Sequence, residues 1–465
     1  MDAHGVETTK LPLTYRQAEV SAITRCLNAG DSCSVVGVSG MAKSNLFRHL
    51  LNPDVRRHYL GDGWRSYLFV PLDANEVGEM SESAVCSILL ERLLDESRHR
   101  GAAEGVISRL EHLQRNTLSS GALPLQRVLA QAVESVIAPS DDRLVFLFDQ
   151  FDGIYKNLNP HFFANLRSVR DGFKYRVSYV VFTRDDLSRL SRSQENEEFE
   201  ELFSANVIGL GPYGRDDALV LLNRVGTRYG RSLDSEMCER LIVLTGGHPG
   251  LLKATCMAII KKEIEIPDDQ KRAVDALLAV RDVQSECIKL WNSISHAEQD
   301  FLRGLAVSKM VPHQDAEIER LLQIKGLILK EDDASVSFSP IFSKYVSVWR
   351  VTEPPSTKIR AGSIRIDTAG EVWVNEKQVT PPLSKKELLL LEYLCLEPGR
   401  LRTKDEIIAV VYPDEYKSGE GISDDAINTL VKRLRDRLER FSKHGSIVTV
   451  RGKGYRMDTI RAGNG

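Results

Sequence analysis

At 465 residues the chain is longer than one hydrophobic core usually organises, so several domains are expected. Its 42% hydrophobic and 27% charged residues are the proportions of a globular protein and exclude a chain dominated by disorder. A formal net charge of −3 excludes a uniformly basic coat, so a nucleic-acid site has to be a local patch.

The first residues, Met1 to Glu7, have neither the basic start nor the apolar core of a secretory signal, and no apolar run approaches the ~20 residues that span a bilayer. No membrane partner and a cytoplasmic location are expected. The 7 cysteines are scattered, odd in number, and form no C-x-x-C or Cys/His zinc pattern, which reads as reduced buried thiols. Tyr15 to Ala29 should be helical. Ser32 to Val36 is a short apolar strand running into a glycine-containing loop and then a helix from Ser44. Further apolar strands are expected at Ser66–Leu72, Leu144–Phe148 and Val177–Phe182, with helices near 82–100, 103–118, 124–138 and 160–170. Continuous apolar strands alternating with helices predict a parallel sheet covered on both faces.

Gly214 to about Asp282 reads as helical, broken at Gly246 to Gly250, and suits a lid. Residues 283–350 give helices, the apolar run Leu327–Leu329, a polar turn and Ser335–Phe338, the order of a winged helix. Val351 to Lys358 is polar and carries Pro354 and Pro355, so no helix crosses it and it reads as a linker. A last module begins near Ile359. It ends with an amphipathic helix, Asp424 to Phe441, and two short strands within Ser446–Met457. Ile427, Leu430, Val431, Leu434, Leu438 and Phe441 fall on one face, leaving Asn428, Thr429, Lys432, Arg433 and Arg435 for the others.

Gly37-Val-Ser-Gly-Met-Ala-Lys-Ser44 follows the phosphate-loop pattern G-x-x-x-x-G-K-[ST], with Ala42 in place of the second glycine. Backbone N–H groups of a loop containing Gly37, Gly40 and Ala42, and of the helix start, would hold phosphate oxygens. Lys43 would reach the terminal phosphates and Ser44 would ligate Mg²⁺. Ala42 keeps its N–H but restricts φ. The strand Leu144–Phe148 ends in Asp149, which resembles the acid of the Walker B motif and would bind Mg²⁺ directly or through water. Gln150 stands where many relatives of such ATPases carry the glutamate that activates water, and an amide is no general base. Asp152 is the remaining acid, and it reads equally as a helix or turn cap.

Together with Tyr15-Arg-Gln-Ala-Glu19, Thr183-Arg184 and Gly247-His-Pro-Gly250, these motifs make residues 12–350 similar to the STAND branch of P-loop ATPases, signal-transducing relatives of the AAA+ class. The resemblance implies that Arg16 borders the adenine, that Arg184 faces phosphate, and that His248 and Pro249 close over the base. Arg184 also reads as a partner for a neighbouring carboxylate, and Pro249 as the start of a helix. Tyr15 replaces a usual glycine and Gln150 a usual acid, so slow or absent hydrolysis is expected.

Leu383-Ser-Lys-Lys-Glu-Leu-Leu-Leu-Leu-Glu-Tyr-Leu394, Lys432-Arg-Leu-Arg435 and Thr449-Val-Arg-Gly-Lys-Gly-Tyr-Arg456 make residues 359–459 resemble the effector domain of OmpR/PhoB-type response regulators. In that family the third helix enters the major groove and a wing hairpin touches the adjacent groove or backbone. The resemblance implies base-edge contacts from Thr429 and Arg433, phosphate contacts from Lys432 and Arg435, and wing contacts from Arg451 and its neighbour Lys453. Nearby Glu420, Asp424, Asp425 and Asp436 leave a protein-binding surface open as the alternative.

The expected fold is therefore multidomain, α/β followed by α+β. A P-loop NTPase parallel sheet (1–213) and helical lid (214–282) precede two winged-helix domains (283–350 and 359–460) joined by the linker 351–358. The expected function is an ATP- or ADP-controlled protein, with Mg²⁺, that binds double-stranded DNA as a transcriptional regulator. Nucleotide would set homo-oligomer assembly or exposure of the last winged helix. A STAND-type defence or stress sensor and an AAA+-like ATPase that remodels or loads DNA are the competing readings.

Overall fold

The computed structural model describes residues 11–78, 80–118, 125–190, 196–308, 316–331, 334–348, 359–361, 364–367, 370–374, 377–379, 383–412, 424–439, 447–450 and 453–458. The chain forms two compact units, Met1–Val348 and Trp349–Gly465.

The first unit is built on a parallel sheet of β1 (Cys33–Val36), β2 (Tyr67–Asp73), β3 (Arg143–Asp149), β4 (Val177–Thr183) and β5 (Val207–Gly209), in the order β2-β3-β4-β1-β5. Strands β3 and β4 are unbroken apolar runs because both faces are covered: every residue of β4 is buried, and so is all of β3 beyond Arg143. Phe146, Phe148, Tyr179 and Val181 share one core with Leu89, Leu93, Val133 and Phe163. The four strands expected from sequence occur within a residue or so of their predicted bounds. The three-residue β5 carries too short an apolar pattern to be read, and it lies at the sheet edge.

Helix α1 (Gln17–Ala29) precedes β1, and α2 (Lys43–Leu50) follows the loop after it. The parallel register aligns Val36 with Thr183 and Asp73 with Asp149. The carboxyl ends of β1, β4, β3 and β2 therefore lie side by side, where open α/β sheets bind ligands.

Helices Arg215–Arg228, Ser235–Thr245 and Pro249–Ile260 form a second core with Tyr15 and Tyr213. Local chemistry sets their ends: Asp234 caps one helix through the Met237 N–H, and Pro249 opens another without losing a hydrogen bond. Helices Arg281–Trp291, His296–Ser308 and Ala316–Ile324 then lead into an antiparallel hairpin, Ile328–Glu331 with Ala334–Ser337. That is the helix-and-hairpin order expected over 283–350, and it belongs to the same compact unit as the sheet.

The second unit has a four-stranded antiparallel sheet (Ile359–Ala361, Ile364–Ile366, Val372–Val374, Lys377–Gln378) and helices Lys385–Leu396, Lys404–Val411 and Asp424–Glu439. The hairpin Ile447–Val450 with Gly454–Met457 follows. Ser384 with Glu387, and Thr403 with Glu406, make reciprocal capping boxes that start the first two helices. Leu390, Leu394, Ile407, Ile427, Val431, Leu434 and Leu438 close its core.

Candidate nucleotide site and nucleic-acid interface

The loop after β1 turns into α2 through Ala42, which has φ 63° and ψ 35°, the left-handed conformation that glycine adopts without a Cβ penalty. The backbone thus keeps the phosphate-loop course despite the substitution. Gly40 is also left-handed, and a Cβ there would lie 2.5 Å from the ring of His248. Lys43 donates to the Gly37 and Val38 carbonyls, the latter at 3.1 Å. Burial lowers its ammonium to about 8 from the usual lysine range, with Asp152 opposing that shift, Arg184 adding to it and Asp149 opposing it.

Asp149 is buried at the end of β3, with Oδ1 accepting the Gln150 N–H at 2.9 Å and the Ser44 side chain close by. Burial raises its pKa; the Ser44 side chain and the Gln150 N–H oppose that rise, and the charge of Asp73 adds to it. Asp149 Oδ2 and Thr183 Oγ1 are both buried without a hydrogen-bond partner. An unsatisfied buried polar atom costs about 1–3 kcal/mol; a cation or its bound water would satisfy the Asp149 oxygen, and a phosphate oxygen would accept from the Thr183 hydroxyl. The residues present therefore fit Mg²⁺ on Ser44 and Asp149 beside a polyphosphate in the loop.

Arg16, only 3% exposed, stacks over the Tyr213 ring at 4.4 Å and donates to the Met41 carbonyl at 3.1 Å. Its Nε is buried without a partner, and Tyr15 bonds to Tyr213 through their hydroxyls at 2.7 Å. His248 is fully buried and caps the helix that Pro249 begins. Its Nδ1 accepts from the Leu251 N–H at 3.1 Å, which leaves Nε2 to donate to the Ser39 carbonyl at 3.2 Å. The Ser39 N–H in turn donates to Ser293 Oγ at 3.2 Å. Both backbone groups of one phosphate-loop residue are thus tied to downstream elements. Asp152 accepts the Arg184 N–H at 2.9 and 3.2 Å, while the Arg184 side chain is exposed close to Lys43.

Sequence reasoning missed a buried ion network beside this site. Lys325, 0% exposed, reaches Glu298 at 2.6 Å and Asp185, the residue after Arg184, at 2.8 Å. A lysine at the end of a polar-looking helix carries no local signal of burial. It also missed Asp73, although an acid closing an apolar strand was the same signal that marked Asp149.

In the second unit, Thr429, Lys432 and Arg433 are exposed on the helix Asp424–Glu439, and Lys453 is exposed at the hairpin turn. Arg435 is engaged with the hairpin: Nη2 donates to the Ile447 carbonyl at 2.6 Å and to Thr449 Oγ1 at 3.0 Å. Tyr455 in the hairpin bonds to Asn428 in the helix at 2.6 Å. Helix and wing are thereby locked into one surface. Arg451 and the outer acids Glu420, Asp424 and Asp425 lie outside the residues whose side chains are described, whereas Asp436 is exposed.

A phosphate loop, an acidic strand end and a capping lid define a P-loop nucleotide-binding unit, here followed by a helix-and-wing module. The chain belongs to the family described as Novel STAND NTPase 1, which it matches over residues 14–335. Residues 378–457 match the family Transcriptional regulatory protein, C terminal, the OmpR/PhoB-type DNA-binding domain. The heme response regulator HssR of Staphylococcus epidermidis is 36% identical over 88 residues, 19% of this chain and 37% of that protein. The transcriptional regulatory protein TcrA of Mycobacterium tuberculosis is 31% identical over 108 residues, 23% of this chain and 40% of that protein. The chain thus spans less than half the length of these relatives. A Walker-type ATPase of Pyrococcus abyssi aligns with 72% of this chain and 95% of its own at 16% identity, with a TM-score of 0.44. No helix among the described residues is long and apolar enough to cross a membrane.

Proposed function

We propose that this protein is an ATP- or ADP-controlled transcriptional regulator, in which Mg²⁺-nucleotide in the first unit sets the assembly or exposure of the C-terminal DNA-binding surface. The carrying observation is Ser39. A phosphate-loop residue whose carbonyl is held by His248 and whose N–H is held by Ser293 makes the loop sensitive to the position of the lid and of the helices beyond it. Lys43 would bind the terminal phosphates, Ser44 and Asp149 the Mg²⁺, and Arg16, His248 and Pro249 would border the base. Arg184 would face phosphate. On the DNA side Thr429 and Arg433 would read base edges and Lys432 and Lys453 would meet phosphates, with Arg435 fixing the wing.

Control requires nucleotide to prefer one arrangement. A swing from 1:99 to 99:1 takes about 5.5 kcal/mol, and charge-assisted hydrogen bonds are worth about 1.5–3 kcal/mol each, so a few phosphate contacts that differ between arrangements suffice. The test is DNA affinity of the full chain with Mg²⁺-ATPγS, with Mg²⁺-ADP and without nucleotide, alongside Lys43→Ala. The parent should bind DNA at least about 5-fold differently between nucleotide states, a coupling of about 1 kcal/mol, and Lys43→Ala should not respond. Equal DNA affinity in all three states for the parent refutes nucleotide control.

A further inference from the structure

The site has three side chains that could handle the proton of an attacking water: Gln150, Asp152 and Asp73. Gln150 is an amide and has no basic lone pair to offer at neutral pH. Asp152 is turned to the Arg184 backbone, whose N–H it accepts with both oxygens. Asp73 remains. It ends β2 in direct register with Asp149 on β3, and adjacent strands lie about 4.8 Å apart, so the two carboxylates stand together at the same edge of the sheet. It is half-buried and open to water.

Its hydrogen bonds suit the task. Asp73 Oδ1 accepts from the Asn75 N–H at 3.0 Å and from Gln150 Nε2 at 3.5 Å, the outer limit of such a bond. Among the described residues no hydrogen bond reaches Oδ2. With its NH₂ turned to Asp73, Gln150 has its own carbonyl oxygen left to accept from a water. Gln150 is held there in a left-handed conformation, φ 52°, as the residue that starts the next helix. A glutamine in left-handed backbone is unusual, and strain of this kind collects where a side chain must be aimed.

We infer that Asp73 is the general base of nucleotide hydrolysis at this site, with Gln150 positioning the water it deprotonates. The inference rests on the reading of the first unit as an Mg²⁺-ATP site. In the step, the water oxygen bonds to the γ-phosphorus as the bond from that phosphorus to the β–γ bridging oxygen breaks. The bridging oxygen leaves on ADP, and the water proton passes to Asp73 and then to solvent. The products are ADP and inorganic phosphate, with no further reactant.

The experiment uses the full chain and Asp73→Asn, which keeps the Asn75 turn because asparagine caps as well as aspartate. Three quantities are measured: single-turnover hydrolysis of Mg²⁺-ATP, affinity for Mg²⁺-ADP, and affinity for Mg²⁺-ADP with aluminium fluoride, which mimics the phosphoryl group in flight beside its water. General-base catalysis contributes about 10²–10⁴-fold, so Asp73→Asn should slow hydrolysis at least about 100-fold and bind the aluminium fluoride complex at least about 10-fold more weakly. Its Mg²⁺-ADP affinity should stay within about 3-fold of the parent. An unchanged rate in Asp73→Asn, or a parent that binds Mg²⁺-ATP without ever cleaving it, overturns the inference. So does loss of Mg²⁺-ADP affinity in Asp73→Asn, which would make Asp73 a metal ligand. A parent that binds no nucleotide at all would instead overturn the site reading beneath it.

Discussion

Acidification should weaken the first unit in part through His248. Its ring is fully buried, accepts the Leu251 N–H on Nδ1 and donates from Nε2 to the phosphate loop at Ser39. A second ring proton has no acceptor there, and burial lowers its pKa from 6.5 to about 4; the Ser39 bond and Glu286 oppose that shift, and Arg16 adds to it. The sign follows from linkage: with the folded value depressed, the unfolded chain takes up a proton that the folded chain refuses. The contribution is therefore fully present above pH 6.5 and is lost as pH falls toward 4. At about 1.4 kcal/mol per pH unit, the whole effect is about 3 kcal/mol, of which about 2 kcal/mol is gone at pH 5. The assay is denaturant unfolding at pH 7.5 and pH 5, followed by tryptophan emission, for the parent and His248→Gln, which cannot titrate. The parent should lose about 2 kcal/mol more than the variant between the two pH values. Equal losses, within about 0.5 kcal/mol, would refute the assignment of a neutral, locked imidazole.

Lys325→Met should destabilise the first unit by about 3–5 kcal/mol, because Glu298 is left charged and buried; a melting temperature within a degree of the parent would contradict that burial. On DNA, Arg433→Ala should cost about 1–3 kcal/mol on a preferred duplex and much less on scrambled DNA. Lys432→Ala should weaken both duplexes alike and reduce the log–log salt slope by about 1. A competition titration across salt separates the two, and identical behaviour of the two variants would remove the groove-facing role of Arg433. Arg435→Ala should weaken all duplexes more than Lys432→Ala does, since it also frees the wing at Ile447 and Thr449; an effect no larger than that of Lys432→Ala would show that the wing holds without it.

Much of this protein is written locally. The apolar runs of β3 and β4, the acid closing β3, the glycine-containing loop before α2 and the apolar stripe of the helix Asp424–Glu439 each depend on residues within a turn or a strand of one another. Periodicity and short motifs therefore expose them. The helix caps at Asp234, Ser384 and Thr403 are equally local contacts, but it is the structure that assigns them. What the tertiary structure alone decides is which distant groups meet. Ser39 is held by residues 209 and 254 positions away. Asp73 becomes a neighbour of Asp149 through strand register, and Asp152, legible as either an acid or a cap, is turned to the Arg184 backbone. Lys325 looks like any solvent-facing lysine until Glu298 and Asp185 close around it. Local pattern encodes which face of an element is buried, whereas the partner of a buried polar group is chosen by how whole elements pack, and that choice leaves no mark within a few residues of either partner.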